Sequence, residues 1–161
     1  MIVVLMGVSG VGKTTIGSAL AATLGCDFLD GDDWHPPANV AKMAAGHPLA
    51  DEDRGPWLDR LNAELRAREA RGASAVLACS ALKQSYRERL TRGLARFELV
   101  FLHGSFDLID ERLRARQHRY MPPALLESQF SALEPPERAI RVDVALSPDQ
   151  CVALISASLG T

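Results

Sequence analysis

The sequence predicts an α/β domain in which a parallel sheet is covered by helices on both faces. Three observations predict it: short apolar runs rich in β-branched residues alternate with longer amphipathic stretches, the strand separations demand crossover connections, and no repeat or low-complexity block interrupts the order. The chain has 161 residues, 47% hydrophobic and 24% charged, which suits one globular domain spanning 1–161. Lysine plus arginine number 18 against 20 acidic residues, a net charge of −2, so no global positive field draws the chain to nucleic acid or anionic lipid.

Ile2–Met6 is a continuous apolar run, as a strand buried on both faces requires. It falls far short of the ~18 apolar residues of a membrane span and lacks a basic leader, so a cytoplasmic protein without span or secretory signal is expected. A helix follows over Lys13–Leu24, then a weaker strand over Asp27–Asp30 and a helix over about 39–45. The best-marked helix, 55–71, places Trp57, Leu58, Leu61 and Leu65 on one stripe with arginines and glutamates opposite. Apolar runs at 75–79 and 98–102 read as two more buried strands, each followed by a helix, 81–94 and 106–116. After a helix at 123–133, residues 142–146 alternate Val142, Val144 and Leu146 with Asp143 and Ala145, as an edge strand with one wet face does. A helix at 148–159 completes the order. Cys26, Cys79 and Cys151 are widely spaced and odd in number, so reduced buried thiols are expected, and the histidine spacing offers no structural zinc site.

Gly7-Val8-Ser9-Gly10-Val11-Gly12-Lys13-Thr14 matches G-x-x-x-x-G-K-[ST] between a predicted strand and a predicted helix. In that setting successive N–H groups point at phosphate oxygens, the helix dipole adds positive potential, Lys13 reaches the outer phosphates and Thr14 can ligate Mg²⁺, with Thr15 in the same helical turn. Nucleotide binding is therefore expected, and ATP with Mg²⁺ are the expected cofactors. The loop alone does not separate a kinase from other nucleotide hydrolases.

The next strand end offers Asp30 and Asp32, two apart and so on one face of an extended segment. Asp30 suits the Mg²⁺ shell and Asp32 the acceptance of a hydroxyl proton during phosphoryl transfer; the competing reading is a polar turn that caps the following helix. A calcium loop fails because its sixth position is His35 and its twelfth Ala41. His35 reads equally as helix-start packing or as a substrate contact. Arg54 is a cation at the positive end of a helix, which calls for either a substrate carboxylate or pairing with Asp51 or Asp53. Lys83 and Arg87, one turn apart behind a helix that Ser80 is placed to cap, form either an anion receptor or a solvated basic face. Arg112, Arg116 and Arg119 recur at spacings of four and three, a mildly self-repelling pattern that polyphosphate would satisfy. They enter a connection, about 112–125, that reads as a mobile arginine-bearing lid; RNA binding is disfavoured by the lack of interleaved aromatics.

Together these segments resemble the gluconokinase family, small P-loop kinases related in fold to shikimate and nucleoside monophosphate kinases. The resemblance covers nearly the whole chain. Beyond the loop it is carried by Phe28-Leu29-Asp30-Gly31-Asp32, by Lys42-Met43 with Gly46-His47-Pro48-Leu49, by Asp51-Glu52-Asp53-Arg54 with Pro56-Trp57-Leu58, by Cys79-Ser80-Ala81-Leu82-Lys83 with Tyr86-Arg87, and by Ser128-Gln129-Phe130. It implies a three-layer P-loop kinase fold with sheet order 2-3-1-4-5. It also implies ATP- and Mg²⁺-dependent phosphorylation of D-gluconate to 6-phospho-D-gluconate, in the cytoplasm and commonly as a homodimer. On that basis Lys13, Asp32, Arg116 and Arg119 are expected to be catalytic, Gly7 to Thr15 with Arg112 to hold ATP, and Asp32, His35, Arg54, Lys83 and Arg87 to hold the sugar acid. Where the family reads Arg-x-Gly-His-Phe in the lid, this chain reads Arg116-Gln117-His118-Arg119-Tyr120. A kinase for shikimate or another hydroxy acid, and a nucleotide sensor without transfer activity, are the alternatives.

Overall fold

The computed structural model describes residues 1–116 and 123–161. In chain order they form β1 (Ile2–Met6), α1 (Lys13–Leu24), β2 (Asp27–Asp30), a 3-10 turn (Gly31–Trp34), α2 (Pro37–Ala44), α3 (Asp51–Ala70), β3 (Ala75–Ala78) and α4 (Gln84–Thr91). Then come β4 (Phe97–His103), α5 (Phe106–Arg114), α6 (Pro123–Ala132), β5 (Ile140–Asp143) and α7 (Pro148–Ser158). The five strands are parallel in the order β2-β3-β1-β4-β5, with Val4 of the central strand between Leu77 and Leu99.

The continuous apolar run of β1 is explained by its position, because alternate residues serve opposite cores. Val3 and Leu5 pack with Ile16 and Leu20 of α1, Ile109 and Leu113 of α5, Leu126 of α6 and Ile155 of α7. Ile2, Val4 and Met6 face the other way, onto the Trp57, Leu58, Leu61 and Leu65 stripe of α3 and Leu90 of α4. The result is the three-layer arrangement, with the carboxyl ends of β1, β2 and β3 opening on one edge, where ligands of such sheets gather. No helix of the described residues is long and apolar enough to cross a membrane. Cys79 and Cys151 are buried free thiols, whereas Cys26 is partly exposed.

Most element ends shift by one to three residues from the sequence reading, and three of the shifted elements bear on the site. Helix α3 begins at Asp51 instead of 55, leaving Pro56 inside it; the acidic first turn and the Asp53 carboxylate, which accepts the Ala50 N–H at 2.7 Å, set the start. Helix α4 begins at Gln84, so Ser80 does not cap it; the Glu134 carboxylate accepts the Gln84 N–H at 2.8 Å instead, from 50 residues away. Strand β5 lies two residues early because Asp143 turns the chain: its carboxylate accepts the Ala145 N–H at 2.9 Å and its carbonyl the Leu146 N–H at 3.2 Å. Val144 keeps one bond to β4, its N–H donating to the His103 carbonyl at 2.9 Å, and stays buried, while Leu146 turns outward and is exposed.

Candidate active site

Residues 7–12 join β1 to α1 over the carboxyl edge. Val8 and Val11 are buried in the core and so pin the loop from beneath, while Ser9 and Gly10 stay partly exposed. Helix α1 starts with no side-chain cap and no acidic residue in its first turn, which leaves its N-terminal N–H groups and dipole for an anion. Lys13 is folded over the loop, donating to the Gly7 and Val8 carbonyls at 2.8 and 3.0 Å. Burial pulls this ammonium down to about 8 against the opposing pull of Asp32 and Asp30, so the two carboxylates stand close to it. The Cys79 thiol beneath is pushed up to about 12 by burial and stays protonated.

The acidic segment forms the polar turn of the competing reading and leaves one carboxylate exposed. Asp30 and Asp32 do not share a strand face, because the chain turns at Gly31, where an added Cβ would stand 2.8 Å from the Ala78 carbonyl oxygen. The Asp30 carboxylate caps this turn by accepting the Asp32 N–H at 3.0 Å, and its other oxygen accepts from Thr14 Oγ1 at 3.1 Å. Trp57 Nε1 clamps the turn by donating to the Gly31 carbonyl at 2.8 Å. Asp32 is left exposed at the mouth. The Thr14–Asp30 pair offers the hard oxygens that Mg²⁺ prefers; no group of three His, Cys, Asp or Glu converges among the described residues, so a cation here would lean on phosphate oxygens and water.

His35 stacks on Trp57, ring centroids 4.2 Å apart at 17°. Its Nδ1 lies 3.2 Å from the buried Asn39 amide nitrogen, which also donates to the Asp53 carbonyl at 2.9 Å. Burial lowers the His35 pKa, with Asp32 and Arg54 acting in opposite senses from nearby, so the neutral ring presents an Nε2–H donor. Neither Asp51 nor Asp53 takes Arg54: Lys42 holds Asp53 at 2.6 Å, while Asp51 accepts from the Tyr86 hydroxyl and meets Lys83 at 3.5 Å. Arg54 donates to the Leu49 carbonyl at 2.7 Å and to the Tyr86 hydroxyl at 3.3 Å, and lies over the Tyr86 ring. Lys83 lies over the same ring at 5.5 Å, so two cations flank one aromatic.

Arg87 does not share that face. It is 5% exposed, and its guanidinium is taken up by the carbonyls of Ala81 (2.8 Å), Leu82 (3.0 Å) and Glu134 (2.7 Å) and by Gln84 Oε1. It braces the loop behind β3, including Ala81 at φ 44, a backbone shape that costs ~1–3 kcal/mol in a non-glycine residue. Ser80 of that loop accepts the Gly7 N–H at 3.2 Å, so Arg87 supports the mouth from behind.

On the far side of the phosphate loop a cavity of about 280 Å³ is lined by Thr15, Arg112, Arg116, Val144, Leu146 and Pro148 among others. The arginine spacing therefore gathers Arg112 and Arg116 at one cavity, with Arg114 ion-paired elsewhere to Asp110 at 3.0 Å. Arg119, and residues 117–122 of the expected lid, lie outside the described residues. Sequence reasoning missed Asn39 and the Val144–Leu146 wall, and gave no role to Tyr86 or Gln129, which it had only as parts of the stretches that carry the resemblance. A buried polar residue such as Asn39 leaves no periodic signal, and the wall was hidden by the misplaced end of β5.

Sheet order, phosphate loop and adjacent carboxylates together define a P-loop kinase. A family profile described as AAA domain matches residues 2–136. The thermosensitive gluconokinase of Escherichia coli (strain K12) is 45% identical over 145 residues, spanning 88% of this chain and 78% of that protein. The gluconokinase of Gluconobacter oxydans (strain 621H) is 48% identical over 149 residues, 91% and 84% of the two chains. A crystal structure of a gluconokinase from Sinorhizobium meliloti 1021 superposes with a TM-score of 0.86 at 42% identity, covering 98% of this chain and 90% of that one. The chain belongs to the gluconokinase family.

Proposed function

We propose that this protein transfers the γ-phosphoryl group of ATP to the terminal hydroxyl of D-gluconate, giving 6-phospho-D-gluconate and ADP. The observation that carries the reading is an exposed carboxylate beside the phosphate loop, Asp32, without a side-chain partner among the described residues, together with Arg54, which no carboxylate takes, and Lys83, which Asp51 meets only at 3.5 Å. An open-chain sugar acid has the matching polarity: a carboxylate at one end for the cations and a hydroxyl at the other for Asp32.

In this mechanism the loop N–H groups and Lys13 take the β- and γ-phosphates, which compete with the Gly7 and Val8 carbonyls for the ammonium. Adenosine occupies the cavity beside Thr15, Arg112 and Arg116, walled by Val144, Leu146 and Pro148. Asp32 accepts the proton of the attacking hydroxyl as the new O–P bond forms and the bridging bond to the β-phosphate breaks. His35 orients the polyol through Nε2–H, and Arg54 and Lys83 hold the carboxylate. Arg116 and Arg119 neutralise the migrating phosphoryl group. Thr14 and Asp30 would hold Mg²⁺, which offsets phosphate charge when bound. A cytoplasmic homodimer is part of the same proposal and rests on the family resemblance.

A coupled ADP-release assay over gluconate, shikimate and glycerate tests this. Gluconate is expected to lead in kcat/KM by several orders of magnitude, because a site that hydrogen-bonds particular hydroxyls rejects analogues lacking them by ~10⁴ to 10⁵. ATP binding without any phosphorylated product would make the protein a sensor instead.

A further inference from the structure

The apex of the phosphate loop is gripped by the two helices that bracket residues 117–122. Gly10 lies against α5, where an added Cβ would stand 2.8 Å from Leu113 Cγ and 3.1 Å from Ile109 Cγ2, so only glycine lets loop and helix meet. From α6, Gln129 makes two hydrogen bonds to the single residue Ser9: the Ser9 N–H donates to Oε1 at 2.7 Å, and Nε2 donates to Ser9 Oγ at 3.0 Å. The partners are 120 residues apart. Helix α6 is a firm base for this contact, because Leu126 is fully buried and Phe130 meets Phe106 of α5 edge-on, centroids 5.7 Å apart.

A loop whose work is done by backbone N–H groups is accurate only if its backbone is held still, and Ser9 lies in a turn outside every strand and helix. We infer that Gln129 is a positioning residue for phosphoryl transfer: its amide fixes the loop apex between α5 and α6 and so sets where the γ-phosphate stands relative to the acceptor. The inference rests on ATP binding at this loop. Gln129 acts through Ser9, the residue that both of its amide atoms meet. Its effect is confined to the donor side, because Asp32, Arg54 and Lys83 sit on other elements.

The test compares Gln129→Met, which keeps the length and loses both polar ends, with Ser9→Ala and the double variant, by steady-state kinetics, ATP titration and thermal denaturation. Gln129→Met is expected to lower kcat ~10- to 100-fold, the scale of a misplacement of about 1 Å, with the KM for gluconate within about threefold of wild type. Ser9→Ala keeps the stronger N–H contact and is expected to lose only ~2- to 5-fold, and the double variant to be no slower than Gln129→Met, since both changes break one contact. A kcat for Gln129→Met within twofold of wild type, losses that multiply in the double variant, or a loss that simply follows the unfolded fraction would each overturn the role. Should Gln129→Met not fold, Gln129→Asn, one methylene too short to reach Ser9, takes its place. A wild type that binds ATP but never phosphorylates gluconate would overturn the acceptor reading instead, and weaker ATP binding by Gln129→Met would still support the positioning role.

Discussion

Residues 7–14 and the group of Asp32, His35, Arg54 and Lys83, which the proposed reaction brings to one mouth, are made differently. The phosphate loop is consecutive chain that works mainly through backbone N–H groups, and its own valines anchor it in the core. The proposed acceptor side draws single side chains from the turn after β2 and the residue that follows it, from α3 and from the residue before α4, and they are held through further side chains: Trp57, Asn39 and Tyr86. Phosphates are alike in every nucleotide, so a backbone cradle suffices for them. Telling one polyol acid from another takes side chains, and these need support from elsewhere in the fold.

The harshest way to break this comparison is Lys13→Ala, expected to cut kcat by at least ~10³-fold while the thermal midpoint stays within a few degrees, because the buried ammonium is not a net stabiliser. Asp32→Asn comes next, lowering kcat ~10²- to 10⁴-fold with a far smaller change in gluconate affinity. Unchanged kcat in that variant would remove Asp32 as the base.

Arg54→Ala and Arg87→Ala sharpen the division between contact and brace. The first should raise the KM for gluconate ~30- to 100-fold, the loss of a charge-assisted contact, and leave the KM for ATP alone. The second should cost ~2–4 kcal/mol of stability, read by denaturant unfolding, because it orphans the carbonyls of Ala81, Leu82 and Glu134. A rise in the gluconate KM without loss of stability would return Arg87 to the binding site.

The mildest test is pH. As pH rises through about 8 the Lys13 of the free enzyme loses its proton, so the Kd for ATP should rise about tenfold between pH 7 and pH 9. Stability moves the other way. The unfolded chain keeps this proton up to its ordinary value of 10.5 while the folded one releases it near 8, so the burial cost is present in full below 8 and is relieved between those values. Lys13→Met should abolish both trends.

Ile2–Met6, Lys13–Leu24 and Asp27–Asp30 were legible to the residue, because a buried parallel strand leaves a local pattern and the phosphate loop fixes where the helix after it begins. The end of β5 was not, since Val142, Val144 and Leu146 keep alternating past the Asp143 turn. Lys83 and Arg87 sit at a spacing that puts them on one helical face only if both are inside the helix. Lys83 is the residue before α4, and Arg87 was instead drawn inward by carbonyls that sequence spacing does not locate.

What the sequence determined by itself, then, is the donor half of the chemistry and the layered α/β plan, because both depend on patterns repeated over neighbouring residues. Tertiary structure alone decided which charges the fold takes up as braces. Arg54 and Arg87 are the same residue type in similar amphipathic surroundings. Only the groups that folding delivers, one carbonyl and a tyrosine hydroxyl beside the first and three carbonyls around the second, make the first a candidate contact and the second a brace.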